Sequence, residues 1–283
     1  MKIQAFTLHN PKHHSNLFNW PEEDSFKYLI QKNKTIVAVA DGITRDPIGL
    51  PHLPDYHTLI GEIELAIEYP IPSPAKKAAD LFCESFIKHS KTISKPNLNS
   101  IKKSIIYSNH KIKLLNKNTK IDYLEKDFAA CVASAGIIQR DTLYYAHITD
   151  CGIVMFNKKG KLKFKTKNEQ PSPEIEKIAK KQNTSFREPK WRSYVRSHFR
   201  NNPEEPLSYG AFTGEKTALH FTRFEKTKIE KGDYLIFYSD GMFPIVFSKN
   251  FNITKHFPDL KEYIENEVEK IGGSEGTIVA LSL

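Results

Sequence analysis

The sequence predicts an α+β fold of packed antiparallel sheets with helices outside, and three observations carry that expectation. Short apolar runs with β-branched or aromatic alternation come in blocks. The runs within a block are joined by turns of a few residues, which leaves no room for crossover helices and implies antiparallel pairing. Two helical stretches stand between the first block and the second, the segregation typical of α+β domains.

The first block reads MKIQAFTL, SFKYLIQK and TIVAVA, with a turn at Gln31-Lys32-Asn33-Lys34. From Pro74 to about Lys91, Ala75, Ala78, Ala79, Phe82 and Phe86 recur at spacings of three and four, with Ser73 placed to cap the helix before Pro74. Asn97 to about Leu115 repeats the pattern with Ile101, Ile105, Ile112 and Leu115. The second block is FAACVASAGIIQ, TLYYAHIT, GIVMF and KLKFKT, with turns at Arg140-Asp141 and Lys158-Lys159-Gly160. LHFTRFEKTKI, YLIFYS and TIVALSL close the chain, with a last helix from about Asp259 to Ile271 that ends at Gly272-Gly273. Two stretches fall outside this scheme. Ile43 to Ser73 is rich in Pro and Gly with little periodicity, which predicts a long loop or small insertion. Asn168 to Tyr209 holds short helical patterns at Glu174–Lys181 and Lys190–Phe199 and a dense basic cluster, and a long segment of that kind inside a compact domain points to function.

Composition excludes several classes. With 39% hydrophobic and 27% charged residues the chain is not globally disordered. No apolar run approaches the ~18–20 residues that cross a bilayer, and MKIQAFTLHN lacks the layout of a signal peptide, so a cytoplasmic protein without a membrane partner is expected. Cys83, Cys131 and Cys151 show no CxxC spacing, which argues against a disulfide framework or a thiolate zinc site, and Cys131 and Cys151, in predicted strands, are expected to be buried thiols. The net charge of +9 is spread over almost every segment, and no basic motif interleaved with aromatics appears, so nucleic acid is disfavoured as a partner.

Carboxylates stand at four strand ends: Glu23-Asp24 before SFKYLIQK, Asp41-Gly42 after TIVAVA, Asp150 after TLYYAHIT, and Asp240-Gly241 after YLIFYS. A single Asp-Gly is an ordinary turn. Two such steps after buried-looking strands are harder to dismiss, since strand ends can converge on one edge of a sandwich, where the carboxylates would repel one another unless a divalent cation neutralised them. Oxygen-only ligands favour Mg²⁺ or Mn²⁺.

The order ED…VAVADG…FAACVASAGIIQRDTLYYAHITDCG…KGDYLIFYSDGM…SEGTIVALSL resembles the metal-dependent protein Ser/Thr phosphatases of type 2C, the PPM family, over nearly the whole chain. Ser239-Asp240-Gly241, preceded by Gly232-Asp233, is the most specific element. The resemblance implies one phosphatase-like domain over residues 1–283, built as a four-layer sandwich of two face-to-face antiparallel sheets flanked by helices. It also implies a binuclear Mg²⁺ or Mn²⁺ centre at one end. Asp41 would bridge both ions, the Gly42 carbonyl and Asp240 would each bind one, Asp24 would sit beside them, and Asp150 matches a position that in some members helps to hold a third. The implied activity is hydrolysis of phosphoserine or phosphothreonine on a protein substrate by a hydroxide bridging the metals.

The sequence departs from that pattern at several places. Asp-Gly-x-Gly-Gly becomes Asp41-Gly42-Ile43-Thr44-Arg45, and Asn19 stands where a phosphate-binding Arg is usual. Lys12, His13, His14 or Arg45 are the candidates to restore that charge, although adjacent histidines on an extended segment point to opposite faces and do not share one ion easily. The last ligand Asp aligns with Ser274. Either Glu275 takes its place or the centre lacks one ligand. The segment 168–209 corresponds to the family's variable flap, where Arg192, Arg196 and Arg200 would form either a solvated face or one basic ridge that favours acidic or multiply phosphorylated substrates. These departures keep open an alternative: a phosphatase-like module, weak or inactive in catalysis, that binds a phosphorylated partner.

Overall fold

The structure is a computed structural model that describes residues 1–9, 21–43, 58–124, 126–184, 188–271 and 275–283. Among the described residues, ten strands are arranged in two sheets: β1 (Lys2–Leu8), β2 (Ser25–Gln31), β3 (Lys34–Gly42), β4 (Cys131–Gln139), β5 (Thr142–His147), β6 (Gly152–Phe156), β7 (Leu162–Lys165), β8 (Arg223–Lys228), β9 (Tyr234–Tyr238) and β10 (Gly276–Ser282). The helices are α1 (Leu59–Glu68), α2 (Pro74–Lys91), α3 (Leu98–Leu115), α4 (Ser172–Lys181), α5 (Pro189–His198), α6 (Ala218–Phe221), α7 (Phe243–Val246), α8 (Ile253–His256) and α9 (Leu260–Ile271). One sheet runs β1-β10-β9-β6-β7 and the other β2-β3-β4-β5-β8, with antiparallel pairing throughout. Among the described residues no helix is long and apolar enough to cross a membrane.

Period-two alternation explains the layering. On β3, Ile36, Ala38 and Ala40 pack with Phe82, Phe86, Ile101 and Ile105 of α2 and α3, while Val37 and Val39 pack with Leu235, Phe237 and Val279 of the opposite sheet. Because both faces are covered, the strand reads as a continuous apolar run instead of a polar-apolar alternation. On β10, Ile278 and Ala280 turn to the helices at the C-terminal end and Val279 and Leu281 to the inter-sheet core. Helices, sheet, sheet and helices form the four layers. The caps act as expected: Ser73 accepts from the Lys76 amide, and Asn97 and Ser100 make a reciprocal capping box.

Two expectations need correction. Within the stretch 43–73, α1 is a regular helix capped by Thr58. Its apolar residues are divided: Leu65 is buried, whereas Ile60, Ile63 and Ile67 face outward, so no single stripe betrays the helix. LHFTRFEKTKI is not all strand either; its first residues belong to α6 and β8 begins at Arg223. The three cysteines are free and buried.

Candidate metal centre

Strand register brings the carboxylates to one end of the sandwich. Ser25, next to Asp24, pairs with Ala40, next to Asp41. In the other sheet Tyr238 pairs with both Ile278 and Gly152, so the end of β9, the start of β10 and the start of β6 lie together. Asp240 opens the 3₁₀ turn after β9, Glu275 immediately precedes β10, and Asp150 lies in the link from β5 to β6.

The two Asp-Gly steps are required by close backbone approach. A Cβ on Gly42 would lie 2.7 Å from the Ala75 carbonyl carbon and 2.8 Å from the Glu23 carbonyl oxygen. A Cβ on Gly241 would overlap the Glu275 carbonyl oxygen. Each glycine therefore locks one Asp-bearing turn against a segment carrying another candidate carboxylate, which any side chain would prevent.

A hydroxyl clasp joins the two sheets. Ser239 Oγ donates to Asp24 Oδ2 at 2.6 Å and accepts from the Thr277 amide at 2.8 Å. Beside it, the Glu275 carboxylate accepts the Glu23 amide at 2.8 and 3.0 Å and the Asp24 amide at 2.8 Å. The Tyr69 hydroxyl, just beyond α1, donates to Glu23 Oε1 at 2.6 Å. Sequence reasoning did not assign roles to Ser239, Thr277, Glu23 or Tyr69, although Ser239 lies within the quoted Ser-Asp-Gly element.

The electrostatics are those of negative charge gathered out of water. Burial pushes the Asp24 carboxyl well up, and the Glu275 and Asp240 charges add to this against the Ser239 hydrogen bond. Burial likewise raises Asp41 strongly, reinforced by Asp24, Asp240 and Asp150. Asp150 is pushed up to about 7 by burial and then by Asp240. Glu275 also reaches about 7 through burial, despite the two backbone amides that favour its charged form.

The donor chemistry fits a hard divalent cation. Asp24, Asp41, Asp150 and Asp240 offer oxygen donors only, burial and neighbouring carboxylates raise the affinity of Asp24, Asp41 and Asp150 for protons, and Asp150 Oδ1 is buried without a hydrogen-bond partner. Among the described residues, however, no three His, Cys, Asp or Glu side chains are drawn together closely enough to hold one ion.

Other sequence candidates fall in different places. Arg192 and Arg196 line a cavity of about 210 Å³ that also contains Asp150. Arg200 does not continue their ridge. It is buried, grips Asp127 with two hydrogen bonds, and lies 5.7 Å from the ring centres of Tyr123 and Phe128. Regular i, i+4 spacing cannot reveal that the third arginine meets a buried carboxylate from the approach to β4. Lys12, His13, His14, Asn19, Arg45 and Ser274 lie outside the described residues.

Neither a protein-family model nor a curated protein matches the sequence. Solved structures do match. The Mycobacterium tuberculosis serine/threonine phosphatase PstP/Ppp superposes with a TM-score of 0.58 at 14% identity, covering 100% of this chain and 98% of that one. Stp1, the serine/threonine phosphatase of Staphylococcus aureus, gives 0.61 at 10% identity over 100% and 94% of the two chains. RsbX, solved in complex with magnesium, gives 0.53 at 13% over 99% and 94%. The fold is that of the type 2C, or PPM-type, Ser/Thr phosphatases.

Proposed function

We propose that this protein is a metal-dependent phosphatase acting on phosphoserine or phosphothreonine in proteins, with Mg²⁺ or Mn²⁺ at the carboxylate end of the sandwich. The observation that carries this reading is the convergence, from both sheets, of Asp24, Asp41, Asp150 and Asp240, each of the first three with its carboxyl pushed up by burial and by neighbouring charge. PstP has been solved with two manganese ions on the same fold.

In this reading Asp41 and Asp240 hold the ions, the Gly42 carbonyl contributes one donor, and Asp24 and Asp150 complete the set. When bound, divalent cations supply Lewis-acid activation of water and charge neutralisation of a phosphoryl group. The remaining work belongs to the chain. Ser239 fixes Asp24, Gly42 and Gly241 hold the two turns in place, and Arg192 and Arg196 offer cationic hydrogen-bond donors to the substrate beside Asp150, with Lys12 and Arg45 as further candidates. Cation binding must displace protons from carboxyls raised toward neutrality, so affinity falls as the medium becomes acidic.

A second reading is a phosphatase-like module, weak or inactive in turnover, that binds a phosphorylated partner. It is favoured by the commitment of the Glu275 carboxylate to the Glu23 and Asp24 amides, which supports a positioning role for Glu275 over a ligand's. Release of phosphate from a small aryl phosphate, with Mn²⁺ and with chelator, separates the two readings. The phosphatase reading expects turnover that needs the cation and is abolished in Asp41→Asn and Asp240→Asn. Activity that persists in both variants or after exhaustive chelation removes the metal mechanism. Calorimetric Mn²⁺ titration of Glu275→Gln against the parent then decides whether Glu275 binds metal.

A further inference from the structure

On α3 the charge is of one sign. Its sequence, LNSIKKSIIYSNHKIKLL, carries four Lys and one His and no Asp or Glu. Ile101, Ile105 and Ile112 take the inward face together with Ser104, Ser108 and Asn109. On the outward face Lys103, Ile106, His110, Lys113 and Leu114 recur at spacings of three and four. All five are exposed, Ile106 by 43% and Leu114 by 50%.

At its C-terminal end this face borders a groove of about 520 Å³. One wall is α3 and the residues just after it, with His110, Lys113, Leu114 and Lys117; the other is the segment 213–216 that precedes α6. None of Asp24, Asp41, Asp150, Asp240 and Glu275 lines it, so it is separate from the candidate metal centre. The walls are bolted together. Asn109 accepts the Gly214 amide at 2.8 Å and donates to the Glu215 carbonyl at 2.9 Å, and Asn116 donates to the Thr213 carbonyl at 2.9 Å. Gly214 has a φ of 95°, and a Cβ on it would overlap the Lys113 backbone, so the segment lies directly on the helix. A groove formed in advance loses little free energy to ordering its walls when a partner binds.

Three lysines line this groove against one carboxylate. Lys113, Lys117 and Lys216 are exposed, and among the described residues none of them makes a salt bridge. Glu215 is turned inward, where it accepts from Asn201 Nδ2 at 2.9 Å and from Thr213 Oγ1 at 2.7 Å. The partial negative charge at the C-terminus of α3, roughly half an elementary charge, offsets less than one lysine. A net positive rim therefore surrounds an apolar floor formed by Leu114 and the half-buried Phe128.

That combination selects among anionic partners. Phe128 already packs against Tyr123 and the Arg200 guanidinium, which leaves the groove without an aromatic platform for a nucleic-acid base. The broad apolar face of α3 is buried in the core, unlike that of an amphipathic helix lying in a lipid surface. A recessed apolar floor ringed by ammonium groups matches an acidic peptide with one apolar anchor. From this geometry we infer that the groove at the end of α3 is a docking site for an acidic segment of a partner protein, which seats one apolar side chain on Leu114 and Phe128 and turns its carboxylates to Lys113, Lys117 and Lys216. The inference is independent of the phosphatase reading and requires neither metal nor turnover.

The test is fluorescence anisotropy on the full chain, in chelator, with three short labelled peptides: Glu and Asp around a single Leu, the same peptide with Ser for Leu, and Gln and Asn around the Leu. The acidic Leu peptide is expected to bind about tenfold or more tightly than either of the others, through burial of one Leu side chain in the first comparison and through charge in the second. Its binding weakens with added salt. In the double variant Lys113→Gln, Lys216→Gln its affinity falls about fivefold to tenfold, whereas Lys158→Gln, Lys159→Gln, which removes the same charge from the exposed turn between β6 and β7, keeps it. Leu114→Gln removes the advantage of Leu over Ser and keeps the salt dependence. Equal binding of the acidic Leu and Ser peptides, equal losses in the two double variants, or no binding of the acidic Leu peptide below about 1 mM overturns the docking site. Tighter binding of oligothymidine or of phosphatidylserine vesicles, lost in the Lys113→Gln, Lys216→Gln variant, also overturns it by assigning the face to nucleic acid or lipid.

Discussion

Replacing Asp150 by Asn tests the charge balance of the site without any assumption about catalysis. Burial and the Asp240 charge raise the Asp150 carboxyl from its ordinary 3.8 to about 7. In the metal-free protein at pH 5 to 6 the folded state keeps this proton while the unfolded chain has lost it. Folding then takes up a proton, and the contribution of this group to stability falls as pH rises from about 4 through about 7, where the loss is complete. A displacement of about three pH units corresponds to roughly 4 kcal/mol, an upper figure for a group coupled to its neighbours. The Asn variant has no such dependence. The amide brings its own constant cost or gain, so the decisive quantity is how the stability difference between variant and parent changes with pH. Urea unfolding in chelator at pH 4, 5.5, 7 and 8 should show Asn gaining on Asp by about 1.4 kcal/mol per pH unit at most, and levelling off above pH 7. Saturating Mn²⁺ should narrow the gap at pH 8, because a cation that binds only the folded state stabilises it by about 2.7 kcal/mol at a hundredfold excess over Kd. A stability difference that does not change with pH would refute the buried, charge-crowded site.

Two further substitutions probe the scaffold. Arg200→Ala leaves Asp127 buried with Arg196 still beside it and should cost about 3–5 kcal/mol, visible as a lowered urea midpoint, whereas Asp127→Asn with Arg200→Met should recover a large part of the loss. Gly42→Ala should destabilise by about 1–3 kcal/mol through the forced shift of the Ala75 and Glu23 backbone, and should weaken Mn²⁺ binding in calorimetry more than an alanine at Gly160, whose Cβ would meet only side chains.

The sequence by itself determined the layers of this protein and the position of its charge. The apolar runs of β3 and β10, the spacing of Ala75, Phe82 and Phe86, and the caps at Ser73 and Asn97 are local properties of the sequence, and each was legible without coordinates. The four strand-end carboxylates were visible for the same reason: each flanks an apolar run, and at Asp41-Gly42 and Asp240-Gly241 the Asp-Gly step marks where a strand stops. Tertiary structure decided what those residues touch. Only the pairing of Ser25 with Ala40, and of Tyr238 with Gly152 and Ile278, brings the four ends to one side. Glu275 was drawn to the Glu23 and Asp24 amides, a contact across more than 250 residues that no spacing rule encodes. Three arginines that look equivalent on a helix were divided, Arg192 and Arg196 lining a cavity and Arg200 buried against Asp127, which Arg196 also reaches. Helix α1 escaped detection because the face it buries is narrower than the apolar face it exposes. Periodicity records whether a side chain prefers water; which partner it meets depends on loop closure and sheet register, and these are settled only when the whole chain has folded.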